Sequence, residues 1–238
     1  MAGFKTHIGV SGVLGVAYGG AGFAMYDVPL STSLPTCVLA GGLCGVSGML
    51  PDLDSGSGVP LRESVAFAAA VVPMLLLDRF HLFGMSNESI VLAGALVYLT
   101  IRFVMGPMLA KYTVHRGMFH SLPAAIIFAE AAFLICECDN LSLRYYKAGA
   151  VLLGFMSHLL LDELYSIEWA SGRWRFKKSF GTAFKLWGDS MWGNLSTYGK
   201  LAALSFLVAK DPSWMEQMRP HTQEIPQIAE RVMERLTR

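Results

Sequence analysis

Four short polar motifs interrupt an otherwise apolar chain: Thr6-His7, Pro51-Asp52-Leu53-Asp54, His115-Arg116-Gly117-Met118-Phe119-His120-Ser121 and His158-Leu159-Leu160-Leu161-Asp162. Imidazoles and carboxylates together bind zinc, manganese or iron. His158 and Asp162 are four residues apart, so a helix carries both on one face. Asp52 and Asp54 are two apart and follow a helix-stopping proline; extended backbone there would aim both carboxylates to one side. Arg116-Gly117 breaks the chain between His115 and His120 and lets both rings turn inward. These four histidines and three aspartates exceed the needs of one tetrahedral ion. The expectation is two divalent ions, zinc or manganese, bridged by a carboxylate and held by His7, Asp52, Asp54, His115, His120, His158 and Asp162. Two such ions activate a water and stabilise both oxygens of an in-line displacement. Arg116 reads either as a clamp on a phosphate oxygen or as a basic anchor at the membrane surface. Singly, each motif has a plainer reading: His7 as a polar helix end, Asp52 and Asp54 as helix terminators.

The elements that must position these groups are membrane helices. Of 238 residues, 53% are apolar and only 16% charged, with a mean hydropathy of +0.45; soluble domains carry about 25% charged residues. A bilayer core needs about 20 apolar residues per helix. Six to seven runs approach this: His7–Met25, Leu34–Leu50 stopped by Pro51, Ser64–Leu77, Ser89–Leu109, Ser121–Cys136, Tyr146–Leu161 and a weaker Leu195–Val208. The fold expected is all-α, a polytopic bundle of six to seven helices. Residues 1–165 form its membrane domain, 166–194 a basic and aromatic interfacial segment, 195–209 a last membrane or interfacial helix, and 210–238 a polar tail. The first run lies almost at Met1 with no Ala-x-Ala site behind it, so it reads as an anchor and not a cleaved signal. Cys37, Cys44, Cys136 and Cys138 lack zinc-ribbon spacing and read as small hydrophobes. A net charge of +1 gives no pointer to nucleic acid, which is set aside as a partner.

Orientation follows from Lys and Arg in the short loops. The end bearing the N-terminus carries Lys5, Arg62, Lys111, Arg116, Arg173, Arg175, Lys177, Lys178 and Lys185, nine against three (Arg79, Arg144 and Lys147) at the other. That end is expected to face the cytoplasm, and all four motifs reach it. Arg102 and Glu130 lie at similar depth on consecutive antiparallel runs, and an ion pair between them is expected, because either alone in lipid is costly. Ser11, Gly15 and Gly19, like Gly41 and Gly45, recur at helix-packing spacing.

With these motifs in this order, residues 1–165 resemble the YdjM-like membrane-bound metal-dependent hydrolases. The resemblance implies a multi-pass protein of a bacterial-type inner membrane with metal-dependent hydrolase activity. Two positions depart from the family pattern: Phe119 stands where threonine is usual, and Glu163-Leu164-Tyr165-Ser166-Ile167-Glu168 replaces Thr-Pro-x-Gly after Asp162. The function expected is hydrolysis of a phosphoester or another small or lipid-like anionic substrate at the cytoplasmic face, with membrane lipid as partner. A metal-ion transporter and a metal-locked scaffold stay open as alternatives. Against the transporter stand the clustering of polar groups at one face and the lack of an inverted repeat. The segment Ser171–Lys185 interleaves Trp174, Phe176, Phe180 and Phe184 with basic residues, and suits lipid headgroups or a gate for an anionic lipid.

Overall fold

Lipid offers no partner for backbone N–H and C=O groups, so apolar runs that enter it must fold as helices. The computed structural model is such a helical bundle, described over residues 3–25, 30–54, 58–112, 117–138, 140–170, 173–176 and 181–216. Its helices are α1 (Phe4–Met25), α2 (Leu30–Ser47), α3 (Val59–Leu75), α4 (Leu77–Leu82), α5 (Asn87–Leu99), α6 (Gly106–Tyr112), α7 (Leu122–Ile135), α8 (Leu141–Leu164) and α9 (Met191–Ala209). A 3-10 turn, Leu50–Asp54, follows α2, and a π turn, Thr100–Met105, joins α5 to α6. Among the described residues, three stretches are long and apolar enough to cross a membrane: Phe4–Met25, Leu61–Leu82 and Asn87–Leu109. Leu34–Ser47 and Leu122–Ile135 are shorter apolar helices. Between α8 and α9 a small antiparallel hairpin, β1 (Ile167–Ala170) and β2 (Arg173–Phe176), pairs Trp169 with Trp174.

Helix starts follow side-chain chemistry. Ser86, Ser121, Asn140 and Ser190 each accept a backbone N–H of the first turn of α5, α7, α8 and α9, satisfying donors the helix itself cannot. Pro123 also suits the opening turn of α7, where its missing N–H costs nothing.

The bundle is held by backbone-close packing of small residues. The buried residues of α1 are His7, Ser11, Gly15, Gly19 and Gly22, one stripe along the helix. A Cβ on Gly15 would overlap the Gly41 carbonyl, one on Gly41 would stand 2.7 Å from the Gly15 carbonyl, and one on Gly154 of α8 would overlap the Cys44 carbonyl. Such approach lets dispersion and interhelical hydrogen bonds replace a hydrophobic drive that lipid does not supply. Two sets of directional bonds set the register. Ser11 Oγ donates to the Gly45 carbonyl at 2.7 Å. Tyr18 and Tyr146 each donate to the other's carbonyl at 2.9 and 3.0 Å, with rings stacked 4.7 Å apart.

At the end of the bundle where α8 begins, Arg144 is fully buried and donates to both Asp211 oxygens at 2.8 Å. Its guanidinium lies 4.1 Å from the Phe133 ring centroid and also donates to the Phe133 carbonyl. Arg79 and Glu137 complete the cluster: Arg79 pairs with Glu137 and, at 3.2 Å, with Asp211. Two guanidiniums and two carboxylates thus tie α4, α7, α8 and the end of α9 together.

The structure corrects two expectations. Asp52 and Asp54 lie in a 3-10 turn and not in extended backbone, because α2 already ends at Ser47 and Pro51 fits the first turn of the next helical segment. Arg102 and Glu130 do not pair; Glu130 instead accepts a hydrogen bond from Ser205 Oγ at 2.7 Å. The principal packing partners of α7 are α8 and α9, and not the run that carries Arg102.

Candidate metal centre

Each donor arrives at one end of the bundle by its own route. His7 sits one turn before Ser11 on the small-residue stripe of α1, so the packing that docks α1 on α2 also buries the ring to 2% exposure. His158 and Asp162 follow Gly154 at four-residue steps on the buried face of α8. His120 precedes the Ser121 cap of α7, and Asp52 is carried by the 3-10 turn.

The five side chains converge. His7 Nε2 lies 3.3 Å from Asp162 Oδ1, and His120 Nε2 lies 3.5 Å from Asp52 Oδ1. His158 Nε2 stands between the carboxylates, 3.7 Å from Asp52 Oδ1 and 3.8 Å from Asp162 Oδ2. The rings of His7 and His158 stack with centroids 3.7 Å apart, and His120 meets His158 edge-on at 5.5 Å. Exposure is 0% for His158, 4% for His120 and 7% for Asp162, and the Asp52 side chain at 16% is the most open of the set. Burial works to raise the Asp52 carboxyl, but the His120 hydrogen bond and the imidazoles of His158 and His7 outweigh it and hold it below the ordinary carboxylate range.

His158 carries the decisive detail. Its Nδ1 lies 2.7 Å from the Gly48 carbonyl oxygen. A carbonyl only accepts, so Nδ1 bears the proton and Nε2 presents a lone pair to Asp52 and Asp162. Metal-binding histidines are oriented in this way by the second nitrogen. Gly48 can approach because it lacks a side chain: a Cβ there would lie 2.5 Å from the Ser11 Cβ and overlap its Oγ.

The donor set fits a metal ion. His158 Nε2 and His7 Nδ1 are buried without a hydrogen-bond partner, a costly state for polar atoms in an interior. Donors on one tetrahedral ion stand roughly 3.3 Å apart, close to the separations above. Two trios, His7–His158–Asp162 and Asp52–His120–His158, each offer three donor atoms within 4.8 Å of one another.

Five of the seven expected ligands are therefore brought together. His115 and Arg116 lie outside the described residues, as does the side chain of Asp54. Glu163, in the stretch that departs from the family pattern, is bonded to the Gly181 N–H and joins neither trio. Sequence reasoning missed Gly48, since a backbone carbonyl has no residue-type signal; the small-residue spacing Gly41, Gly45, Gly48 was the available hint.

The sequence profile of the YdjM inner membrane proteins matches residues 1–195. The chain belongs to this family. The part matching the YdjM family takes in all five clustered residues and ends within α9. Neither the search of curated proteins nor that of solved structures returned a match.

Proposed function

We propose that this YdjM-family protein is a membrane-embedded metal-dependent hydrolase acting on a phosphoester or similar anionic substrate at the cytoplasmic face of a bacterial-type inner membrane. The observation that carries the reading is the state of His158, buried, oriented by Gly48, with its Nε2 facing two carboxylates. His7, His158 and Asp162 would hold one divalent ion. Bound there, zinc or manganese supplies Lewis acidity and a water acidic enough to act as a nucleophile near neutral pH. A single Nε2 lone pair serves one ion, so a second would draw on Asp52 and His120 with Asp54 and His115. Asp52, the most exposed member, is the ligand that solvent reaches most readily. Arg116, four residues before His120, would steady the anion. The excess of basic residues at this end supports its facing the cytoplasm.

The test is elemental analysis of the detergent-purified protein beside His158→Ala and His115→Ala. The expected result is close to two ions per chain in the wild type, a large loss in His158→Ala, and about one remaining in His115→Ala, each with helicity retained. A wild type that takes up no metal after supplementation would overturn the reading. Metal without turnover on any phosphoester, or metal accumulating inside vesicles, would favour the scaffold or the transporter.

A further inference from the structure

The segment leading into α9 exposes a dense apolar surface. Leu186, Trp187, Met191, Trp192 and Leu195 are 54, 66, 85, 80 and 62% exposed. Several backbone groups beneath them are satisfied within the segment. Gly188 N–H donates to Asn194 Oδ1 and Asn194 Nδ2 donates back to the Gly188 carbonyl, both at 2.8 Å. Ser190 Oγ accepts from Gly193 N–H, and Tyr198 donates its hydroxyl to the Leu186 carbonyl while its ring lies 4.8 Å from that of Trp187. A segment that bonds several of its polar groups internally and exposes its largest apolar groups, with the one exposed carboxylate of Asp189 among them, suits a boundary between apolar and polar surroundings.

The same segment is fastened to the His120 turn. Leu122 N–H donates to the Lys185 carbonyl at 3.3 Å, and a Cβ on Gly188 would stand 3.2 Å from the Met118 sulfur. Its exposed face runs on into the exposed Phe206 and Leu207 of α9. In an inner membrane protein lipid covers such a helix face, and the aromatic patch continues it toward the end that holds the cluster. Indoles, apolar with one N–H donor, prefer the membrane–water interface.

We propose that residues 186–195 are seated in the bilayer at headgroup depth, with lipid as the occupant of the Trp187–Trp192 face, so that the His120 turn is held at the membrane surface. This seating is independent of whether the cluster binds metal.

Two single-tryptophan proteins test it, one keeping Trp187 and one keeping Trp192, with the other four tryptophans replaced by phenylalanine, reconstituted in phosphatidylcholine–phosphatidylglycerol vesicles. Lipids brominated near the carbonyl end of the acyl chain are expected to quench either indole about twofold, more than lipids brominated near the methyl end, with aqueous acrylamide quenching little. Should either protein lose helicity, wild type compared with Trp192→Phe gives the same reading as a fall in lipid-quenchable emission. Quenching by acrylamide as for free tryptophan, with none from brominated lipid, overturns the proposal. So does protection from both quenchers together with a cross-linkable dimer, which would make the occupant a second copy of the chain.

Discussion

Replacing Gly48 by alanine should loosen the proposed metal site without altering any candidate ligand. The added Cβ would stand 2.5 Å from the Ser11 Cβ, where two carbons at rest need about 3.5–4.0 Å. A gap of at least 1 Å, roughly, must open between α1 and the end of α2. His158 Nδ1 sits 2.7 Å from the Gly48 carbonyl, and a shift of that size carries the pair beyond hydrogen-bond reach. His7, one turn from Ser11, moves as well. Loss of an orienting partner weakens metal binding about 10–100-fold, and overpacking costs about 1–3 kcal/mol of stability. Chelator competition measures the first and thermal unfolding in detergent the second. Ser11→Gly in the same chain removes the obstructing side chain and should restore most of the affinity, giving a coupling that two independent sites would not show. Wild-type affinity in Gly48→Ala, or no rescue by Ser11→Gly, would refute the assignment of Gly48 as the group that orients His158.

The remaining predictions concern the far end of the bundle and the membrane interior. Asp211→Asn leaves Arg144 and Arg79 facing Glu137 alone and should cost about 3–5 kcal/mol, read as a lower unfolding temperature, with metal affinity of the folded fraction unchanged. Burial tends to raise the Asp211 carboxyl, but hydrogen bonds and charge from Arg144 and Arg79 draw it from 3.8 down to about 2. Its folded value lies below the unfolded one, so roughly 2 kcal/mol of stability is whole above pH 4 and disappears as pH falls through 2; unfolding profiles across that window should lose this slope in Asp211→Asn. Glu130→Gln keeps an acceptor for Ser205 and should change stability by less than about 0.5 kcal/mol, whereas Glu130→Ala strands the hydroxyl and should cost about 1 kcal/mol in the same assay.

The helical class and the gathering of His7, Asp52, His120, His158 and Asp162 at one end were legible in the sequence. Apolar run length and alternating direction determine which motifs share an end, and four-residue spacing determines that His158 and Asp162 share a face. Lateral packing was not legible: chain order suggested Arg102 beside Glu130, while the partner of Glu130 is Ser205, seventy-five residues on. The backbone of Leu50–Asp54 was misread because proline stops one helix as readily as it opens the next. Arg144 was counted only as a loop charge. Its role as a buried bridge depends on Asp211, whose position relative to α8 no local pattern reveals.

The stripe of His7, Ser11, Gly15 and Gly19 has a further implication for how α1 finds its place. A row of small groups repeated every fourth residue sets how close two rods lie, but not how far one has slid along the other. Neighbouring alignments, about 6 Å apart, present nearly the same smooth surface, so shape alone leaves the helix free to sit one notch out. The choice falls to contacts that do not repeat: the Ser11–Gly45 bond, the reciprocal Tyr18–Tyr146 pair and the His7–Asp162 contact. Small-residue packing works here as a rail, and these few polar contacts as the stops that decide where on the rail a ligand-bearing ring comes to rest.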